Sequence, residues 1–475
     1  FFFILFRFVS RSGAGQQFIQ NLEKNPAKLL ALSFGAIILF GTLFLMFPRS
    51  TADRLGASFI DALFTATSAT CVTGLTVLNT NADAAANLTL QSFSTFGQAI
   101  ILILIQTGGL GIMTLSTAIV LLAGGRLSLR GKSMMQDVMD EEHVTSLKKI
   151  IQYIVISTFL IELIGSILLT LRFYYWFGDL GRSIYYGVFH SISAFCNAGF
   201  SLFSNSLEHF RYDLAINSVI SILIVLGGLG FPVIASVFSL RHWGKGLSGG
   251  FKRFTPHVKI VLIVSAILII SGAVLIFTSE FSGTMREMPL PERLLSAVFQ
   301  SVTARTAGFN TIDLSSIGRA SIMIFCLLMF IGASPNSTGG GIKTTSAGLL
   351  VLTLRMLMRG DDEIRVYGRT IPRGIIYKVT AITFISLSLC MVVFTLLMLT
   401  QPALPASKLA FEVFSAFGTV GLSMGITQQL DEIGKILITM LMYIGRVGPL
   451  TMALALGERG EKAQIQYPEG KIIVG

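Results

Sequence analysis

Charge is scarce in this sequence. Of 475 residues, only 13% are Asp, Glu, Lys or Arg, about half the share of an ordinary soluble domain. Histidine is rarer still, with five residues (His143, His190, His209, His242, His257) that form no metal-ligand spacing. The four cysteines, Cys71, Cys196, Cys326 and Cys390, are far apart in sequence and fall in apolar segments, so they are expected to be reduced packing residues. No nucleophile–base pairing stands out. A membrane enzyme would want convergent His, Asp or Cys in its apolar spans, and these spans offer none.

What the chain has instead is apolar bulk: 52% hydrophobic residues, with 37 Phe and 47 Gly. Apolar runs long enough to cross a bilayer need about 20 residues. Eight recur, at about 29–48, 95–124, 150–176, 214–240, 259–279, 317–358 (interrupted), 379–400 and 433–456. The net charge of +11 could suggest nucleic acid, but the basic residues sit between spans. Arg126, Arg130, Lys132, Lys148 and Lys149 lie in the connector 126–149, and Arg241, Lys245, Lys252 and Arg253 in 241–258. Arg359, Arg365, Arg369, Arg373 and Lys378 lie in 359–378. This asymmetry puts the three connectors and both termini in the cytoplasm. The opening FFFILFRF has no basic stretch ahead of its apolar run, so it does not read as a signal peptide. Residues 1–28 are expected to be a cytoplasmic lead-in and 457–475 a cytoplasmic tail.

Between the paired spans lie four shorter inserts, and they repeat. They read Ser68-Ala-Thr-Cys-Val-Thr-Gly74, Ser193-Ala-Phe-Cys-Asn-Ala-Gly199, Val302-Thr-Ala-Arg-Thr-Ala-Gly308 and Ser415-Ala-Phe-Gly-Thr-Val-Gly421. Their glycines are 125, 109 and 113 residues apart, the length of a whole span–insert–span unit. The units are 29–125, 150–240, 259–358 and 379–456. Each insert follows a predicted short helix, at about 57–69, 183–195, 291–303 and 406–417. The fold expected is therefore all-α and membrane-embedded, with four span–short helix–span repeats around one centre and four re-entrant loops.

Such loops suit a cation. Backbone carbonyls can replace an ion's water shell, and turning several of them one way takes dihedrals that glycine tolerates. Irregular backbone at membrane depth must be buried or line a watery cavity. The triplets Val72, Thr73, Gly74; Asn197, Ala198, Gly199; Thr306, Ala307, Gly308; and Thr419, Val420, Gly421 are the candidate ligands, through their carbonyls. Any one glycine alone would be an ordinary turn; four in register are not. The fourth triplet matches the opening of the potassium-channel TVGYG filter. Only glycine is common to all four, which predicts one well-formed ion site with weaker neighbours.

Each closing span also carries glycines: Gly108-Gly-Leu-Gly111, Gly227-Gly-Leu-Gly230, Gly445-Arg-Val-Gly448 and, expanded, Gly332-Ala-Ser-Pro-Asn-Ser-Thr-Gly-Gly-Gly341. These predict bends at mid-membrane. Gly339-Gly-Gly-Ile-Lys343 is not a phosphate loop, because Ile342 separates glycine from lysine. Arg446 lies inside the last span, where a charge is costly and usually functional. Arg305 precedes the third triplet and reads as a structural brace, with Asp313 or Glu412 as candidate partners.

These inserts, the stretch Ser334-Pro-Asn-Ser-Thr-Gly-Gly-Gly-Ile-Lys-Thr-Thr345, Tyr443-Ile-Gly-Arg-Val-Gly-Pro-Leu-Thr451 and the tail Tyr467–Gly475 resemble the Trk/Ktr/HKT superfamily of potassium transporters, and within it the Ktr membrane subunits. The resemblance covers about 25–475. It implies a homodimer with one pore per protomer, in the cell membrane, carrying potassium. It implies a filter glycine in all four loops, here including Gly74. It also implies a gate loop below the filter, here Ala333, Ser334, Pro335, Asn336, Ser337, Thr338, Gly339, Gly340 and Gly341. Arg446 matches the family's cavity arginine, and Lys343 could act with it. A cytoplasmic ring of nucleotide-binding RCK subunits (KtrA) would control the pore, with ATP or ADP bound on that partner and sodium as an activator. The expected activity is gated uniport; a sodium- or proton-coupled symporter on the same scaffold is the alternative.

Overall fold

A computed structural model of the chain describes residues 26–80, 92–111, 147–238, 251 and 253–456. The lead-in before residue 26, most of the connectors 126–149 and 241–258, the second half of the second span and the tail 457–475 lie outside the described residues.

The described chain divides into four similar units. The first holds α1 (Pro26–Leu45), α2 (Phe59–Thr70) and α3 (Thr95–Gly109); the second, α4 (Leu147–Phe177), α5 (Leu180–Phe195), α6 (Leu214–Leu229) and α7 (Phe231–Phe238). The third holds α8 (Pro256–Glu280), α9 (Leu290–Thr303), α10 (Arg319–Phe330) and α11 (Thr344–Arg359). A two-residue hairpin, β1 (Arg365–Val366) and β2 (Arg369–Thr370), follows, and then α12 (Arg373–Thr400), α13 (Ala406–Gly418), α14 (Glu432–Val447) and α15 (Pro449–Leu456). Among the described residues the hairpin is the one sheet in an otherwise helical chain, apart from isolated bridges such as Ile331 with Ile342. Its turn residues Tyr367 and Gly368 both have positive φ, +49° and +78°, the signature of a tight type I′ turn.

Physical chemistry explains the element types. The first helices of the units, α1, α4, α8 and α12, are each long and apolar enough to cross a membrane. Their large apolar side chains, such as Phe384 at 72% exposure, face outward, which water would penalise and lipid would not. Three of the closing helices start at polar caps: Ser94 accepts from Gly97 N, Asp213 from Ala215 N and Ile216 N, and Asp431 from Gly434 N.

The units close into a circuit. Each first helix packs on its own short helix: α1 on α2, α4 on α5, α8 on α9 and α12 on α13. Each closing helix packs on the short helix of the next unit: α3 on α5, α6 on α9, α10 on α13, and α14 back on α2. A 2.6 Å ion pair between Lys435 and Asp61 ties the last of these contacts. Behind the second turn, His190 is fully buried among Phe173, Tyr186 and Phe203, its Nδ1 2.8 Å from the Tyr186 carbonyl. It is a packing residue, in keeping with the absence of metal-ligand spacing among the histidines of the sequence.

The closing helices of units two, three and four are not continuous spans. In units one, two and four, the first glycine of the Gly-x-x-Gly pattern presses on its own short helix. A Cβ added at Gly108, Gly227 or Gly445 would sit 1.9, 1.9 or 2.0 Å from the carbonyl oxygens of Thr70, Phe195 and Phe417. The second glycine, Gly111, Gly230 or Gly448, takes φ of +83°, +88° or +93°. At Gly230 the axis turns by 109° between α6 and α7. We expect Gly227→Ala and Gly445→Ala to destabilise the fold by roughly 3 kcal/mol or more, because backbone rather than a flexible side chain must yield. Thermal unfolding of the detergent-solubilised protein checks this.

Candidate functional site

The four short helices end in turns of the same geometry. In each triplet the first and third residues have positive φ. The pairs are Val72 (+57°) and Gly74 (+94°), Asn197 (+61°) and Gly199 (+69°), Thr306 (+79°) and Gly308 (+81°), and Thr419 (+50°) and Gly421 (+92°). Such alternation of left-handed residues is how an extended strand aims successive carbonyls to one side. Glycine accepts it freely. Val72, Thr306 and Thr419 are β-branched, and that conformation strains them unless the surroundings enforce it.

Hydrogen bonds supply the enforcement. The amides of Thr73, Ala198 and Val420 donate to the carbonyls of Ser68, Ser193 and Ser415 at 2.7, 2.7 and 2.9 Å. In units one and four the serine hydroxyl adds a second clamp, taking Gly74 N at 3.0 Å and Gly421 N at 3.1 Å. Unit three has Val302 at the matching place, and Ala307 N turns to Thr303 O at 2.9 Å. These serines recur in three of the four inserts of the sequence, and the repeat alone does not disclose their role as clamps.

The four glycines meet. A Cβ built on Gly74 would lie 2.4 Å from Ala198 O; on Gly199, 2.6 Å from Ala307 O; on Gly308, 2.5 Å from Val420 O; on Gly421, 2.1 Å from Thr73 O. The circuit runs through all four turns and closes on itself. One cavity of about 560 Å³ is lined by all four glycines, and its walls include Glu208 and Asp313. Burial pushes the Asp313 carboxyl upward, but hydrogen bonds from Ser315 and Ser316 outweigh it and hold it below the ordinary carboxylate range. Burial and then the Asp313 charge push Glu208 up. Asp313 therefore supplies negative charge to the wall of this cavity at neutral pH. The C-terminal ends of α2, α5, α9 and α13, with their partial negative charge, lead into the turns.

On the other side of the turns lies the interruption between α10 and α11. Residues 331–343 fold back on themselves: Gly332 N donates to Ile342 O at 2.9 Å and Ala333 N to Gly340 O at 3.3 Å. The segment then reaches its neighbours. Ser334 N and Thr338 N donate to the carbonyls of Gly228 and Gly227 on α6. Gly340 N donates to Thr419 Oγ1 at 3.0 Å. A Cβ on Gly339 would strike Thr306 Oγ1 at 2.2 Å. The loop is thus pressed against the first residues of the third and fourth triplets.

Arg446 is 8% exposed and bridges units. It donates to Thr338 O in the loop and, at 2.6 Å, to Gly108 O at the end of α3. Lys343 Nζ donates to Gly339 O at 2.8 Å. Both charges the sequence singled out therefore hold the loop. Arg305 is a correction. Its guanidinium donates to Ser265 O and Ser265 Oγ at 3.3 and 3.2 Å, not to Asp313 or Glu412. Asp313 is capped by Ser315 and Ser316, and Glu412 by Ser423 and Thr427. One group was missed: Glu162, buried on α4, accepts from Gln106 Nε2 at 3.1 Å and from the Cys196 thiol beside the second turn at 3.7 Å. The signal was present, since a lone acid in an apolar run is the same flag that marked Arg446.

The chain is also similar to known proteins. Residues 24–464 match the TrkH family model, described as a cation transport protein. The chain is 37% identical to the Ktr system potassium uptake protein B of Bacillus subtilis, over 96% of this chain and 98% of that one. It is 37% identical to the potassium/sodium uptake protein NtpJ of Enterococcus hirae, over 95% and 97%, and 38% identical to the Ktr system potassium uptake protein B of Vibrio alginolyticus, over 94% of each. The crystal structure of the potassium transporter TrkH from Vibrio parahaemolyticus superposes with a TM-score of 0.66 at 21% identity, covering 90% of this chain and 83% of that one. At that identity the likeness is one of fold.

Proposed function

The chain belongs to the TrkH family of cation transport proteins, and from that premise we propose that it is the potassium-translocating membrane subunit of a Ktr-type uptake system. The observation that carries the proposal is the closed circuit of four glycines, each against the carbonyl of the next turn. In this reading the circuit is the selectivity filter, and the carbonyls of the four triplets stand in for the water shell of a potassium ion. The four units surround one pore, and the cavity over the glycines is its outer mouth.

The loop Ala333–Gly341 is then the gate, held shut by Arg446 and Lys343. The protein is a transporter in the cell membrane rather than an enzyme, with both termini and the basic connectors in the cytoplasm. We read it as a homodimer controlled by an RCK-type nucleotide-binding ring (KtrA), with ATP or ADP on that partner and sodium as activator. Uptake is uniport, driven by membrane potential at about 2.3 kcal/mol per unit charge per 100 mV.

Flux from proteoliposomes, compared across potassium, rubidium, caesium and sodium under imposed voltage, tests this. Potassium and rubidium should pass and sodium should be rejected, with voltage alone driving uptake. Equal passage of sodium would remove the filter assignment. Uptake that requires an inward sodium or proton gradient would replace uniport with symport.

A further inference from the structure

The fourth unit holds a buried carboxylate that neither the glycine circuit nor the loop uses. Glu412 on α13 is fully buried. Its Oε2 accepts from Ser423 Oγ at 2.9 Å and its Oε1 from Thr427 Oγ1. The two hydroxyl oxygens are themselves 2.9 Å apart. Ser423 Oγ also accepts from Gly425 N at 3.1 Å. Ser423 and Thr427 belong to the segment that follows Gly421, where they face the outer cavity.

No cation among the described residues answers this carboxylate. The helices packed on α13 are α10, α12 and α14. Their charged residues are Arg319 on α10, Arg373 and Lys378 on α12, and Glu432, Lys435 and Arg446 on α14. None forms an ion pair with Glu412; Lys435 is committed to Asp61 at 2.6 Å and Arg446 to Thr338 and Gly108. Cys326, Cys390, Tyr377 and Tyr443, the other titratable groups on those helices, make no hydrogen bond to it either. Lys408, on α13 itself, is not paired with it.

The decisive point is a count of protons. Three oxygen–oxygen contacts link Glu412, Ser423 and Thr427 in a triangle. Two hydroxyls bring two protons, and a hydroxyl donates once. With Glu412 ionised, Thr427 must choose between Glu412 and Ser423, and one contact becomes lone pair against lone pair. With Glu412 protonated, three protons serve three contacts in a closed ring, in either sense, and the carboxyl is neutral as its burial requires. A sodium or potassium ion in the triangle would instead push the oxygens out of hydrogen-bonding range of one another.

We infer that Glu412 is a proton-binding site whose neutral carboxyl, ringed with Ser423 and Thr427, positions the segment after Gly421 over the ring of carbonyls. The positioning half rests on the filter reading above; the proton half does not. Glu412 is a positioning residue, since it acts through Ser423 and Thr427 and not on the ion.

The test uses the full chain in lipid vesicles. A hydrogen–deuterium infrared difference spectrum should contain a buried protonated-carboxyl stretch that Glu412→Gln removes. Glutamine offers one donor end and one acceptor end, as the protonated acid does. Glu412→Gln should therefore keep potassium-over-sodium selectivity within about twofold, whereas Glu412→Ala should lower it about tenfold. The sign with pH follows: the ring exists below the folded-state pKa of Glu412 and is lost above it. Wild-type selectivity should fall as pH rises, and that of Glu412→Gln should stay flat. If Glu412→Ala fails to fold, the infrared band and the two pH profiles still decide. No band sensitive to Glu412→Gln, or a flat wild-type profile across the pH at which the band disappears, overturns the inference. A sensitive band in a protein that never selects potassium would leave the proton in place and defeat the filter reading instead.

Discussion

Gly74→Ser is expected to reduce discrimination between potassium and sodium by between ten- and a hundredfold, while leaving a folded protein that still passes cations. The argument has two parts. Gly74 has φ of +94°, and an L-residue held there costs on the order of 1–3 kcal/mol. The new Cβ would also stand 2.4 Å from Ala198 O and 3.2 Å from Gly199 Cα. Both are backbone, so relief must come from moving the carbonyl that the proposed filter uses. Each 1.4 kcal/mol of lost preference is about a factor of ten, which sets the range. Competitive rubidium and sodium uptake in vesicles reads it. Gly360→Ser is the control: Gly360 also sits at positive φ, +69°, but with nothing within 4 Å of its added Cβ. It should cost stability alone. Unchanged selectivity in Gly74→Ser would mean that the circuit of glycines is structural.

What could be read from the sequence follows from what repeats. The four turns were legible because a glycine at fixed offset from a short amphipathic helix recurs four times. Their helices appear at Phe59–Thr70, Leu180–Phe195, Leu290–Thr303 and Ala406–Gly418, within a few residues of expectation. The bends were legible only as weakness. Gly-x-x-Gly indicates where a helix can break, but the 109° turn at Gly230 is set by Gly227 lying against Phe195 O and by the loop receiving Phe231 N at Asn336 O. Those partners are over a hundred residues away in the loop's case. The partner of Arg305 was misread because a buried cation suggests an acid. In a membrane fold a carbonyl and a hydroxyl, here both on Ser265, can meet a guanidinium without adding a second charge to desolvate. The hairpin at Tyr367–Gly368 was missed because only one of its two turn residues is a glycine.

Shortening the segment Ser334–Gly341 is expected to raise unregulated potassium flux about tenfold or more, and Arg446→Gln to raise it in the same direction by less. The loop is held by neighbours rather than by its own regularity: α6 accepts from Ser334 N and Thr338 N, Thr419 accepts from Gly340 N, and Arg446 donates to Thr338 O. Glutamine at 446 cannot span both Thr338 O and Gly108 O, so at least one buried carbonyl loses its donor, at about 1–3 kcal/mol. That is enough to shift a closed loop toward an open one by roughly five- to a hundredfold. Deletion removes the obstruction itself, which is why its effect should be larger. Vesicle flux without partner protein or nucleotide gives the comparison, and hydrogen exchange across residues 333–341 should show lost protection in Arg446→Gln. A deleted protein that remains monodisperse yet conducts no faster would mean that the loop braces the third and fourth turns from below and does not bar the path. In that case Arg446→Gln should lower selectivity, because the loop's contacts at Thr306 and Thr419 would be supporting the strained residues of the filter. The two mechanisms thus move different measurements on the same pair of variants: flux if the loop bars the path, selectivity if it braces the turns.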